Sequence, residues 1–249
     1  MTDSIAALRI LPAGDSALVV EFGTTIAPEL HDRVIALDQA IAEATGARTL
    51  PGVLETVPTY RSLMVCYDPG VIRAAALADR LKDLALTPQP GRMPRQLWHV
   101  PVLYGHEAGL DLSDLAAMKD LSEAELVRLH GSTDLRVYMI GFAPGFTYLG
   151  GLPEILHTPR LEVPRQMTPA GGIAIGGAQA CVGALPGPSG WRFLGRTPLR
   201  AFDPRRDAPF VFRAGDMVRF HPVTPAEAAR LDARSEAGEI CAEHEILAA

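Results

Sequence analysis

Residues 137–153 read VYMIGFAPGFTYLGGLP. The last thirteen of them, 141–153, hold four glycines, two prolines and three aromatics with no charge. A simple loop is more polar than this, and a simple core strand carries less glycine and proline. The same texture continues downstream in GGIAIGGAQACV (171–182), WRFLGRTPLRAF (191–202), PFVFRAG (209–215) and DMVRFHPV (216–223). Short apolar, β-branched runs punctuated by Gly and Pro predict a compact all-β barrel. QLWHVPVLY (96–104) is its first strand.

Between that strand and the glycine-rich stretch, LSDLAAMKD and SEAELVRLH predict two short helices. Ser122 and Glu125 have capping-box spacing, in which a hydroxyl and a carboxylate each satisfy a free backbone N–H. Upstream, LRILPAGDSALVVEF (8–22) reads as two strands around a Pro-Ala-Gly-Asp turn. A helix is expected from Pro28 to about Thr45, with Leu30, Val34, Leu37 and Ile41 on one face and Gly46 as a left-handed cap. VLETVPTYRSLMVCYD adds a strand pair and VIRAAALADRLKDLAL a second amphipathic helix. The expected class is therefore α+β: a small ββαββα sandwich over 1–86, a Pro-rich linker TPQPGRMPR over 87–95, and a β-barrel over 96–223. The tail 224–249 is expected to be helical or partly disordered and to lie outside the barrel.

Composition narrows the function classes. The chain is 48% hydrophobic and 21% charged over 249 residues, the balance of an ordinary folded protein. It has no apolar run of membrane-spanning length and no signal-peptide pattern, and its three separated cysteines fit reduced thiols in a cytoplasm. Net charge is −6, which argues against a general nucleic-acid binder. Residues 158–220 run against that balance, with nine arginines to four acids, and form a candidate anion-binding region.

PAGGIAIGGAQ (169–179) lacks the GK[ST] of a P-loop and the following helix of a dinucleotide fingerprint. Its glycines serve either as barrel corners or as a surface cleared for a ligand. Gln179 offers both donor and acceptor to an amide. Arg165 and Arg196 offer planar forks to a carboxylate or phosphate, or else make surface ion pairs. His130 stands at a predicted helix C-terminus, which favours the imidazolium and lifts its pKa; it is either a proton donor or a cap. No HxH, HExxH or GxSxG pattern occurs, and no metal site is expected.

RVYMIGFAPGFTYLGGLP, TPRLEVPRQMTPAGGIAIGGAQ and GWRFLGRTPLRAFDP, in that order, resemble the family of bacterial 5-oxoprolinase B subunits. That family is also called allophanate hydrolase subunit 1 or KipI and belongs to the carboxyltransferase-domain superfamily. The resemblance is dense from about Leu97 to Val223 and implies that the barrel is cyclophilin-like. It implies a subunit of a multi-subunit, ATP-dependent amide hydrolase that opens 5-oxoproline to glutamate and is inactive alone. The implied partners are the 5-oxoprolinase C subunit, a second cyclophilin-like protein, and the amidohydrolase-like A subunit. ATP, with its Mg2+, would be bound by or shared with a partner. The alternatives are a KipI-type histidine kinase inhibitor and a urea- or allophanate-related carboxyltransferase component.

Carried onto this sequence, the family motifs fall on Gly141–Gly150, on Pro164, Arg165 and Pro169–Gly171, on Gly176 or Gly177 with Gln179, on Gly195–Pro198, and on His130. The expected roles are catalysis by His130, Arg165 and Gln179, and substrate or nucleotide binding by Phe142, Phe146, Gly171, Gly176, Gly177 and Arg196. Departures from the family pattern include Cys181-Val182 where Gly-Ile is usual, and Gly172 where a serine hydroxyl is usual.

Overall fold

The structure is a computed structural model that describes residues 8–87 and 95–247. Two units are resolved, meeting in sequence between Met93 and Pro94. Most of the expected linker thus lies outside the described residues.

In the first unit the strands β1 (Arg9–Pro12), β2 (Ala17–Glu21), β3 (Val53–Pro58) and β4 (Ser62–Tyr67) form an antiparallel sheet in the order β1-β2-β4-β3. Alternate residues point to one face, so Leu18, Val20, Leu63, Val65 and Tyr67 are buried together. The helices α1 (Pro28–Gly46) and α2 (Ala74–Leu86) supply Val34, Leu37, Ile41, Leu77 and Leu81 to the same core. Each such side chain contributes about 1.5–3 kcal/mol on burial. Pro28 opens α1, where its missing N–H costs nothing. Gly46 remains helical, and Arg48 (φ 58°) takes the left-handed position expected of that glycine.

The second unit contains β5 (Arg95–Tyr104), α3 (Leu112–Met118), α4 (Glu123–His130), β6 (Leu135–Ile140) and β7 (Thr147–Gly150). They are followed by β8 (Arg165–Thr168), β9 (Gly172–Gly176), β10 (Gln179–Gly183), β11 (Gly187–Ser189), β12 (Arg192–Arg196) and β13 (Met217–Pro222). Seven strands close a barrel in the order β12-β9-β10-β7-β6-β13-β5, with β5 meeting β12 again. The seam is short: Gly195 pairs with Tyr104 and Arg196 with Leu103. β13 runs parallel to β5 from Met217↔Leu97 to Pro222↔Val102. β8 and β11 stand apart as a two-stranded ribbon. Of the runs expected as strands, PFVFRAG contributes only the bridge Phe202↔Phe210.

Strand alternation sorts the barrel into two layers. Val100, Val102, Val137, Leu149, Ile173, Ile175, Ala180, Val182, Leu194, Val218 and Phe220 fill the interior. Ala174, Cys181 and Phe193, one residue out of phase, join Trp191 in a second cluster with Phe146 and Tyr148 against it. Ser122 and Glu125 make the expected capping box at the start of α4. The tail, expected to be helical or partly disordered, is described as far as residue 247. It folds as helix α5 (Pro225–Glu236) and strand β14 (Glu243–Leu247), and β14 pairs antiparallel with β5 from Glu243↔His99 to Leu247↔Arg95. That partner lies so far back in sequence that no local pattern announces the strand. No helix among the described residues is long and apolar enough to cross a membrane.

Candidate functional site

The turn between β6 and β7 is held by Gly141 N–H to the Phe146 carbonyl and by Phe146 N–H to the Ala143 carbonyl, each at 3.0 Å. Inside it Phe142 adopts φ 71°, a left-handed conformation that is an outlier for a bulky side chain, and leaves its ring 76% exposed. Such strain costs of order 1–3 kcal/mol and is concentrated at functional positions. From Phe142 an aromatic series runs inward. Its ring meets Phe146 edge-on at 5.7 Å, Phe146 lies 4.7 Å from Tyr148, and both approach Trp191 at 6.2 and 6.1 Å. The Arg160 guanidinium sits 4.8 Å from the centre of the Trp191 ring, a cation–π stack.

The glycines of 171–177 are explained by these rings. A Cβ on Gly176 would stand 3.0 Å from Trp191 and 3.1 Å from the Arg160 stem, and one on Gly172 only 2.3 Å from the Phe193 ring. The surface is cleared, but the chain's own side chains use the clearance. Gly177 (φ 64°) is different: nothing lies within 4 Å of its would-be side chain. Its N–H and carbonyl both bond the Thr158 backbone, which pins the β9–β10 turn. Gln179 opens β10 opposite Gly176 and is half-buried.

The two arginines expected to receive an anion are already paired. Arg165 donates to both carboxylate oxygens of buried Asp111 at 2.9 and 2.7 Å, and Asp111 also accepts the Phe193 N–H at 2.7 Å. Arg165 thus braces the strand that carries Phe193. Arg196 makes a two-pronged pair with Asp232 of α5 at 2.8 and 2.6 Å, so its fork holds a helix in place. Gly171 packs there as well, with its would-be Cβ 2.5 Å from the Thr197 carbonyl.

His130 also departs from its expected role. It is fully buried, stacked on Phe220 at 4.7 Å, with Nδ1 2.7 Å from the Tyr104 hydroxyl and no partner for Nε2. Burial pushes its pKa down to about 3, overriding the helix-end effect that was expected to lift it. The ring is neutral at physiological pH and closed to a substrate.

The structure therefore brings Phe142, Phe146, Gly176 and Gly177 to one face, with Gln179 at its edge, and places Arg165 behind that face. Arg196 and Gly171 lie towards the seam, and His130 belongs to the barrel interior. Sequence reasoning missed Trp191 and Arg160 as members of the face and Asp111 as its brace. The available signal was Trp191 itself, one of two tryptophans in the chain, closing the Gly- and Pro-rich run before β12. Among the described residues no group of three or more His, Cys, Asp or Glu is placed to hold a metal ion.

Residues 8–212 match the carboxyltransferase domain, subdomain C and D. The 5-oxoprolinase B subunit of Bacillus subtilis is 35% identical over 226 residues, spanning 85% of this chain and 91% of that protein. The Escherichia coli O157:H7 protein of the same name is 37% identical over 84% of this chain and 93% of its own length. Among solved structures, TTHA0988 superposes with a TM-score of 0.74 at 35% identity over 84% of this chain, which spans only 40% of that longer polypeptide. The Kluyveromyces lactis urea carboxylase shares the fold, with a TM-score of 0.75 at 18% identity over 98% of this chain and 25% of that one. The chain belongs to the carboxyltransferase-domain family, subdomains C and D, and within it to the 5-oxoprolinase B subunits.

Proposed function

We propose that this protein is the B subunit of an ATP-dependent 5-oxoprolinase, which opens the cyclic amide of 5-oxoproline to glutamate. One observation carries the reading: identity of 35–37% with two 5-oxoprolinase B subunits, sustained over more than nine-tenths of their lengths. The name of those relatives implies further subunits. We take these to be a second cyclophilin-like protein, the C subunit, and an amidohydrolase-like A subunit, working in the cytoplasm.

An amide is a poor electrophile. Phosphoryl transfer from ATP to the amide oxygen makes the ring carbon electrophilic. One water adds there, the C–N bond breaks with the nitrogen leaving as the amine, and a second water hydrolyses the resulting acyl phosphate to carboxylate and phosphate. The described residues do not fit Mg-ATP. Gly171, Gly172 and Gly176 are packed by Thr197, Phe193 and Trp191, and no group of three or more His, Cys, Asp or Glu among the described residues is placed to hold a metal ion. We therefore assign the nucleotide to a partner. To this chain we assign the aromatic face: Phe142 and Phe146 take the flat ring, Gly176 makes room for Trp191 and Arg160, Gly177 keeps the approach low, and Gln179 orients the amide. Arg165 is a positioning residue that acts through Asp111.

The test is reconstitution. Each subunit alone is expected to show no 5-oxoproline-dependent ATP hydrolysis, and the mixture to release glutamate and phosphate together. An assembled complex that leaves 5-oxoproline untouched rejects the assignment, and robust turnover by this chain alone rejects the divided site.

A further inference from the structure

Four of the nine arginines of the basic segment have forks occupied by carboxylates: Arg165 on Asp111, Arg196 on Asp232, Arg205 on Asp203 and Arg219 on Asp134. Arg160 does not. It is exposed, it lies against Trp191, and it makes no ion pair or hydrogen bond among the described residues. A guanidinium held over an indole by a cation–π contact keeps N–H donors with which to receive a carboxylate bidentately.

Three further features converge on it. Gly176 is bare so that the Arg160 stem and the Trp191 ring can both lie against β9. The half-buried Tyr148 packs 6.1 Å from Trp191, and its hydroxyl has no hydrogen-bond partner among the described residues, which leaves a second donor beside the first. Burial raises the pKa of both the Tyr148 hydroxyl and the Cys181 thiol, and the Arg160 charge opposes that rise at each. Next to this pair of donors the aromatic series ends at Phe142, an exposed ring held at a backbone cost.

We propose that Arg160 and Tyr148 form the carboxylate anchor of the aromatic face, and that the face accepts a small ligand carrying one carboxylate on a flat amide ring. The ring lies on half-buried Phe146, with buried Trp191 behind it, the carboxylate sits between the guanidinium and the phenol, and Phe142 covers the open side. This assignment rests on the 5-oxoproline reading above and adds a specific residue that discriminates 5-oxoproline from its uncharged lactam. Arg160 touches substrate without taking part in bond making, so its removal acts on binding before it acts on turnover.

The experiment uses the full chain and the reconstituted complex. Both tryptophans are buried, but only Trp191 packs against Arg160, Phe146 and Tyr148, so a ligand-dependent change in tryptophan emission is assigned to Trp191. Titration with 5-oxoproline is expected to shift the emission saturably, in the chain alone or in the complex. Arg160→Ala should weaken that binding by about tenfold to a hundredfold, the worth of a lost charged hydrogen-bonding pair. Arg160→Lys should recover part of the loss. Pyrrolidin-2-one, the same ring without the carboxylate, should bind weakly and respond to neither substitution. In the complex the Arg160→Ala effect should fall on KM, with kcat changed little. The inference is overturned if 5-oxoproline binds Arg160→Ala as well as wild type. It is equally overturned if pyrrolidin-2-one loses as much as 5-oxoproline, or if neither chain nor complex gives a saturable response. A complex that turns over 5-oxoproline with unchanged KM in Arg160→Ala removes this anchor and leaves the 5-oxoprolinase assignment standing. A complex inactive on 5-oxoproline removes both.

Discussion

At His130 two electrostatic effects oppose each other, and their sizes decide the outcome. The C-terminus of α4 favours a protonated imidazole by up to about 2 kcal/mol. Complete burial against Phe220 disfavours it by several pKa units and wins, so the pKa falls to about 3. The hydrogen bond from the Tyr104 hydroxyl to Nδ1 agrees with a neutral ring whose proton sits on Nε2. The folded pKa lies below the unfolded value near 6.5. Between those two values the unfolded chain therefore binds a proton that the folded chain does not. Stability from this residue is intact above about pH 6.5 and drains away as the pH falls towards 3, about 2 kcal/mol of it between pH 7 and pH 5. His130→Gln keeps an acceptor for Tyr104 and removes the titration. Denaturant melts should show this variant losing about 2 kcal/mol less than wild type over that pH interval. Equal losses in both would mean that the imidazole is not buried neutral. From sequence, the helix end and the following glycine were visible at His130. The ring stacked on it was not, because Phe220 is contributed by a strand ninety positions later.

At the scale of the element, β12 decides whether the barrel closes. Its last two residues make the whole of its pairing with β5, and Gly195 is the point of closest approach. A Cβ there would stand 2.3 Å from the Leu103 carbonyl oxygen and 2.8 Å from the Tyr104 Cα, both backbone atoms that cannot turn aside. Gly195→Ala must therefore open the seam or displace β5, which is also bound by β13 and β14. We expect a loss of about 3 kcal/mol or more, within the range of severe overpacking, measured by urea unfolding of the barrel followed through its tryptophans. A variant within about 0.5 kcal/mol of wild type would show that the two residue pairs do not hold the barrel closed. The glycine was noticed in the sequence as part of LGRTP, but its reason is a backbone distant along the chain. The same holds for the ion pairs. Arg165 and Arg196 find Asp111 and Asp232 at separations of 54 and 36 residues, so spacing alone advertised them as unattached cations. Elements whose signal is internal were legible. The sheet and helices of the first unit follow from alternation and three-to-four spacing, and the capping box of Ser122 and Glu125 is contained within four residues. β14 has no such internal signal, since GluHisGluIleLeu shows four exposed positions out of five and becomes a strand only by lying beside β5.

For the whole molecule, the informative fact is that each unit owns a core. Leu18, Val20, Leu63, Val65, Leu77 and Leu81 close the first without help from beyond residue 87, and the interior of the barrel is lined only by residues after 95. A core of more than twenty buried apolar residues, a sheet closed on itself and α5 tied down by Arg196 are together sufficient for independent folding. Both tryptophans lie in the second unit and are set in defined surroundings. Trp98 meets Phe212 edge-on at 5.9 Å and donates its indole N–H to Asp216 at 3.2 Å, while Trp191 lies under Arg160. Their fluorescence therefore reports on the second unit. Residues 95–247 produced without residues 1–94 should keep the emission maximum of the full chain and unfold in one cooperative transition. They should also retain the Arg160-dependent response to 5-oxoproline, because every residue of the aromatic face comes from within that span. A fragment with red-shifted emission or a gradual, non-cooperative melt would show that the barrel needs the first unit to fold. A well-folded fragment that no longer answers to 5-oxoproline, where the full chain does, would place part of the site in the first unit.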